Sequence, residues 1–251
     1  MFEMIRIART IFRRFFPRRK DPALDAEIVK SPLDRKFEEA YLQRINRGDP
    51  FVAARYFEGI RWRNVLGRYL PPNARILDIG AGDGAIELAL RAGGHRVVSV
   101  EPLWNEVARH LEVTRVIADA AFLPFRTAAF DALVFLETLE HLEDRKSVSQ
   151  EMSRVARPDA ILLLTTPARW RYAFAGDPHF AIRGLVLLPA RWQRKVASRR
   201  GFNRPEHFVD RIYGSVPQIH RVFPSFVIER VLSRSRMPRN WFWDAIVMRK
   251  K

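Results

Sequence analysis

The stretch ARILDIGAGDGAIELAL, residues 74–90, sets three glycines at alternate positions, Gly80, Gly82 and Gly84, directly after an apolar run. Glycine accepts positive φ and lets a ligand approach the backbone closely. A strand that ends in glycines and feeds a helix is therefore a device for holding a nucleotide-like molecule. Alone, the pattern is also that of a plain glycine-rich turn. Spacing narrows the choice: Asp78-x-Gly80-x-Gly82-x-Gly84 departs from the G-x-G-x-x-G of dinucleotide sites. A carboxylate at Asp78, two residues ahead of the first glycine, suits a cationic amino group and would repel a pyrophosphate. Glu101 closes the next apolar run about 20 residues on, where a carboxylate grips a ribose diol. Asp119 follows a third short run and could accept from an adenine amino group.

A ligand with adenine, ribose and a cationic amino acid is S-adenosyl-L-methionine. Holding it needs elements in a fixed order, and the chain supplies them. Residues 33–48 and 51–69 read as two helices, and Pro71-Pro72 punctuates the entry to the first strand. Strands are expected at Arg75–Ile79, Val97–Glu101, Val116–Ala118, Asp131–Leu136 and Ala160–Thr165. Helices are expected at Ala85–Ala92, Asn105–Leu111 and Ser147–Val155. Strands alternating with helices imply βαβ units and a mainly parallel sheet. Residues 180–200 run apolar and then strongly basic, and read as an inserted helical element. The last strand is expected at Trp243–Met248.

The blocks ILDIGAGDGAIELAL, VVSVEP, IADAAFLPFRTAAFDALVFLETLEHLED and LLLTTP follow one another in the order found in class I S-adenosylmethionine-dependent methyltransferases. The chain resembles most the small-molecule branch labelled type 11, over about residues 60–170. The resemblance implies an α/β, Rossmann-like, seven-stranded, mostly parallel sheet with helices on both faces and an antiparallel last strand. It implies cofactor contacts along Asp78, Gly80, Ala81, Gly82 and Gly84, ribose contact at Glu101, and adenine contact at Asp119 with Ala120. Leu103 is expected against the adenine face. Beyond residue 170 the resemblance fades, where such enzymes hold the acceptor.

A sulfonium is already an activated methyl donor, so the protein's main task is alignment. A base is needed only for an acceptor with a tightly held proton. His141, five residues beyond Leu136, would stand on the ligand side of the sheet, and its ordinary pKa suits proton acceptance; Glu137 is a second candidate. His179 and His220 fall in the divergent region and are candidates for lining an acceptor pocket. The loop LETLEHLED lacks an Asn-Pro-Pro-Tyr type motif for an exocyclic base amine, and the absence of cysteine excludes thiolate attack on a pyrimidine. Oxygen or an activated carbon is the expected acceptor atom. The six histidines show no HxxxH or HxH spacing, so no metal is expected.

The net charge of +16 is concentrated at the ends: residues 1–20 hold seven basic side chains and one acidic, residues 179–251 sixteen and four. Placed on a helical wheel, Met4, Ile5, Ala8, Ile11, Phe12, Phe15 and Phe16 share an arc of roughly 140°, opposite Arg6, Arg13 and Arg14. Pro17 would end that helix. Such a leader either docks on the domain or lies in an anionic membrane interface. The chain thus divides into a leader at 1–20, helices at 21–72, and a methyltransferase domain at 73–251 with a basic insertion at about 172–225. The expected acceptor is a small molecule, a lipid or a lipid-linked glycan, with an anionic membrane surface as a candidate partner. The expected location is cytoplasmic, or peripheral on the cytoplasmic face of the membrane. Two alternatives stay open: an RNA methyltransferase using the basic carboxy-terminal region, and a noncatalytic scaffold that keeps the fold.

Overall fold

A computed structural model describes residues 21–25, 50–103, 114–176, 182–201 and 212–251. The leader helix, the helices expected at 33–48 and Asn105–Leu111, and His179 lie outside the described residues. The elements run α1 (Pro50–Leu66), β1 (Arg75–Ile79), α2 (Ala85–Arg91), β2 (Arg96–Glu101), β3 (Arg115–Ile117) and β4 (Phe130–Leu136). Then come a 3-10 turn (Leu139–His141), α3 (Arg145–Val155), β5 (Ala156–Thr165), α4 (Arg169–Ala175) and a second 3-10 turn (Leu185–Leu187). The chain ends with α5 (Ala190–Arg199), α6 (Val216–His220), β6 (Phe226–Leu232) and β7 (Ala245–Lys250).

The seven strands form one sheet in the order β3-β2-β1-β4-β5-β7-β6. Neighbours from β3 to β5 are parallel, and β7 runs antiparallel between β5 and β6. The expected fold is confirmed, including the antiparallel last strand. That strand sits at Ala245–Lys250, two residues later than expected, because Trp243 is spent on the core: it is buried, and its indole donates to the Thr166 carbonyl at 3.0 Å. β6 was not foreseen. It carries Glu229 and Arg230, a bulge between Ile228 and Arg230, and three consecutive exposed positions, so its apolar alternation is broken.

Alternation along the central strands divides the core in two. Ile76, Val97, Val134 and Leu163 face Trp62, Val65 and Leu66 of α1 and Ile86 and Leu90 of α2. Leu77, Leu133, Leu162 and Leu164 face the other way, against Val148, Met152 and Val155 of α3 and Ile219 of α6. α3 begins where Asp144 accepts from the Ser147 amide at 3.0 Å, an N-cap that starts the helix two residues earlier than expected. The carboxyl ends of β1, β2 and β4 are thereby fixed side by side, and the site lies there.

Candidate active site

β1 turns into α2 through the glycine loop. Gly80, Gly82 and Gly84 have φ of 77°, 56° and 84°, a region that L side chains avoid. The Gly80 amide donates to the Val100 carbonyl at 2.8 Å, which ties the loop to β2. A Cβ on Gly80 would come within 2.3 Å of the Thr138 hydroxyl, whereas one on Gly82 would meet nothing within 4 Å. Gly80 is thus a packing glycine against the segment after β4, and Gly82 faces open space.

That space is a cavity of about 800 Å³ lined by Gly80, Gly82, Glu101, Asp119, Ala120, Glu137, Thr138 and His141, among others. The Glu101 carboxylate accepts from the Gly82 amide at 2.9 Å, so the end of β2 reaches the loop. Asp119 accepts from the Ala121 amide at 2.8 Å, which fixes the turn after β3. Six carboxylates line the cavity among the described residues, Asp83, Glu101, Asp119, Glu137, Glu143 and Asp144, together with Arg55 and His141. Arg55 sits 3.6 Å from Asp83.

Other expected residues lie elsewhere. Asp78, Ala81 and Gly84 do not line the cavity. Ala81 is buried, and Gly84 precedes the first turn of α2. Asp78 is buried in a row across the sheet with Ser99 and Arg115, and its Oδ2 has no hydrogen-bond partner. Burial, then the charge of Glu87, pushes its carboxyl up to about 7, against Arg55 and Arg115. Leu103 is 74% exposed and does not line the cavity, and Pro102 beside it does. His220, expected to line an acceptor pocket, has its Nε2 2.8 Å from the Phe226 carbonyl, which links α6 to β6, and it does not line this cavity.

The segment after β4 holds features that motif spacing did not reveal. Glu137 adopts φ 47°, held there because its amide donates to the Thr165 hydroxyl at 3.0 Å and carbonyl at 3.1 Å. Its side chain is open to the cavity, while the surrounding protein raises its carboxyl above the usual range; desolvation is the largest cause, and the Thr165 bond opposes it. Glu140 is buried and accepts from the Thr166 hydroxyl at 3.0 Å. Burial, then the charge of Glu137, pushes Glu140 up to about 9. The two carboxyls interact, and the negative charge of Glu137 favours a proton on Glu140. Their three-residue spacing across the turn was the only sign of this in the sequence. Among the described residues no group of side chains is arranged to hold a metal.

A mostly parallel sheet with a ligand cavity at its carboxyl ends, a glycine loop after β1 and an acid at the end of β2 define a class I methyltransferase fold. Residues 77–164 match the methyltransferase domain family Methyltransf_11, and this segment is a type 11 domain of the S-adenosylmethionine-dependent methyltransferases, whose cofactor is S-adenosyl-L-methionine. The chain is 30% identical over 125 residues to a ubiquinone biosynthesis O-methyltransferase of Xanthomonas campestris pv. campestris (strain B100), covering 46% of this chain and 52% of that protein. It is 31% identical over 107 residues to a demethylmenaquinone methyltransferase of Mycobacterium sp. (strain KMS), covering 41% and 46%. A glycine/sarcosine/dimethylglycine N-methyltransferase of Actinopolyspora halophila is 33% identical over 109 residues, covering 39% and 19%. The chain therefore spans about half, or less, of these relatives' length. Among solved structures, the PH0226 protein of Pyrococcus horikoshii OT3 aligns with TM-score 0.57 at 16% identity, covering 86% of this chain and 99% of that one. A SAM-dependent methyltransferase of Methanosarcina mazei aligns with TM-score 0.54 at 19% identity, covering 74% and 96%.

The residues present fit the cofactor. Gly82 leaves room for close approach, and acids surround a cavity suited to a cation.

Proposed function

We propose that this protein transfers the methyl group of S-adenosyl-L-methionine to an oxygen, or an activated carbon, of a small-molecule, lipid or lipid-linked glycan acceptor at a membrane surface. The observation that carries this reading is the acid-lined cavity in a chain of net charge +16. Carboxylates favour a cationic donor and a neutral acceptor, and they repel the phosphates of RNA at the point of reaction. The basic residues of the carboxy-terminal part therefore serve another surface, which disfavours the RNA alternative. Names of relatives in ubiquinone biosynthesis and demethylmenaquinone methylation support a quinone-like or other lipid-like acceptor. The bound cofactor supplies an activated methyl group. The chain's own contribution is alignment, worth up to roughly 7–11 kcal/mol in well-oriented reactions.

In this reading Asp78 and the loop Gly80-Ala81-Gly82, with Gly84 behind it, hold the amino-acid end. Glu101 grips the ribose diol, and Asp119 with Ala120 receives the adenine. His141, and Glu137 within its carboxyl pair, face the acceptor and take its proton where it has one to give. Residues 73–251 act as the catalytic domain, with an insertion at about 172–225 over the acceptor side and the leader at 1–20 as a membrane contact on the cytoplasmic face. Incubation with methyl-labelled S-adenosyl-L-methionine and fractionated cell extract tests this. Label in the organic-soluble or small-molecule fraction is expected; label confined to RNA, or no transfer at all, would overturn it.

A further inference from the structure

Residues 182–201 form a small unit outside the sheet. Ile182, Leu185 and Ala197 are buried together, with Val196 packed on them, so α5 has a defined inner face. Its outer face carries Arg191, Trp192, Arg194, Lys195 and Arg199, all exposed. Just before the helix, Leu187 and Leu188 are 52% and 40% exposed, and Trp192 is 47% exposed. The turn that presents them is braced: the Trp192 and Gln193 amides donate to the Pro189 carbonyl at 2.8 and 3.1 Å, and the Gln193 side chain to the Leu188 carbonyl at 2.8 Å. Lys195 stands over the Trp192 ring at 5.3 Å. Residues 182–201 hold six Lys or Arg and no Asp or Glu.

We propose that Leu187, Leu188 and Trp192 form an apolar wedge by which this unit seats on an anionic lipid bilayer, with the cations of α5 as its collar. The proposal rests on the membrane-surface reading above and names its contact. Large apolar side chains beside an unbroken set of cations match the two layers of an anionic interface, acyl chains below and phosphates above. A tryptophan suits that boundary because its ring is apolar and its N–H is polar. A nucleic acid would use the cations but give Leu187 and Leu188 nothing to contact.

The test uses the full chain with vesicles of about equal phosphatidylglycerol and phosphatidylcholine. Co-sedimentation is expected for the wild type, and the Leu187→Ser, Leu188→Ser, Trp192→Ser triple variant should bind at least about tenfold more weakly. Arg191→Glu with Lys195→Glu should lose a similar amount, more at low salt than at high. Brominated acyl chains should quench tryptophan emission in the wild type, and Trp192→Phe should remove most of that quench while vesicle binding persists. Unchanged melting temperatures would show that these exposed changes leave the fold intact. A wild type that ignores the vesicles overturns both the wedge and the membrane-surface reading. Wild-type binding matched by the triple variant, or an unaltered quench in Trp192→Phe, overturns the wedge alone. RNA retention in place of vesicle binding, lost on charge reversal, would assign the surface to nucleic acid instead.

Discussion

Replacing Glu101 gives the sharpest reading of how the cofactor is held. In the structure its carboxylate accepts from the Gly82 amide at 2.9 Å and borders the cavity. A ribose diol would offer two further donors, and hydrogen bonds to a charged group contribute about 1.5–3 kcal/mol each. Giving up or sharing the Gly82 bond costs about 1 kcal/mol of that gain. The net is at least about 1.5 kcal/mol, or tenfold in affinity. Glu101→Ala should therefore weaken S-adenosylhomocysteine binding by tenfold or more in titration calorimetry, and Glu101→Gln by less, since its amide oxygen still accepts. The fold should tolerate both, because Gly82 lies beside solvent-filled space and its amide can bond water. Affinity of Glu101→Ala within twofold of the wild type would refute the assignment.

Four other changes probe different parts of the site. Gly80→Ala should lower stability by about 2 kcal/mol or more in chemical denaturation, through left-handed strain and the clash with Thr138, whereas Gly82→Ala should cost about 1 kcal/mol yet still impair cofactor binding. His141→Ala should reduce turnover of the identified acceptor by about 10²-fold or more if it takes the proton, as steady-state kinetics would show. Glu140 keeps a proton in the folded chain that the unfolded chain releases, so its contribution to stability declines as pH rises from about 4.5 towards about 9. Glu140→Gln should flatten that decline and raise the melting temperature at pH 8, with each kcal/mol gained worth about 2–4 °C.

The parallel half of the sheet was legible because its central strands β1 and β4 are buried almost throughout and its strands read as short apolar runs between helices. Arg75–Ile79 was placed to the residue for that reason. β6 was not legible, since an edge strand with a bulge and internal charges has no alternation to read. Within the site, Gly80 and Gly82 were singled out by motif spacing and Ala120 by the family resemblance, and all three line the cavity. Asp78 shows the limit of that method. Spacing places it at the loop, but the direction of its side chain depends on Ser99 and Arg115 in register across two neighbouring strands. The Glu137–Glu140 pair depends likewise on Thr165 at the end of β5 and Thr166 just after it, 28 and 26 residues away. His220 was singled out because its segment is divergent, and its link to the Phe226 carbonyl depends on the packing of α6 against β6, which no spacing in the sequence shows.

The most direct test of the account is a crystal structure of the protein with S-adenosylhomocysteine. The ligand should lie in the cavity at the ends of β1, β2 and β4, with its ribose on Glu101, its adenine beside Asp119 and Ala120, and its sulfur directed towards Glu137 and His141. A ligand bound elsewhere, or bound there with Glu101 still committed to Gly82 alone, would contradict it.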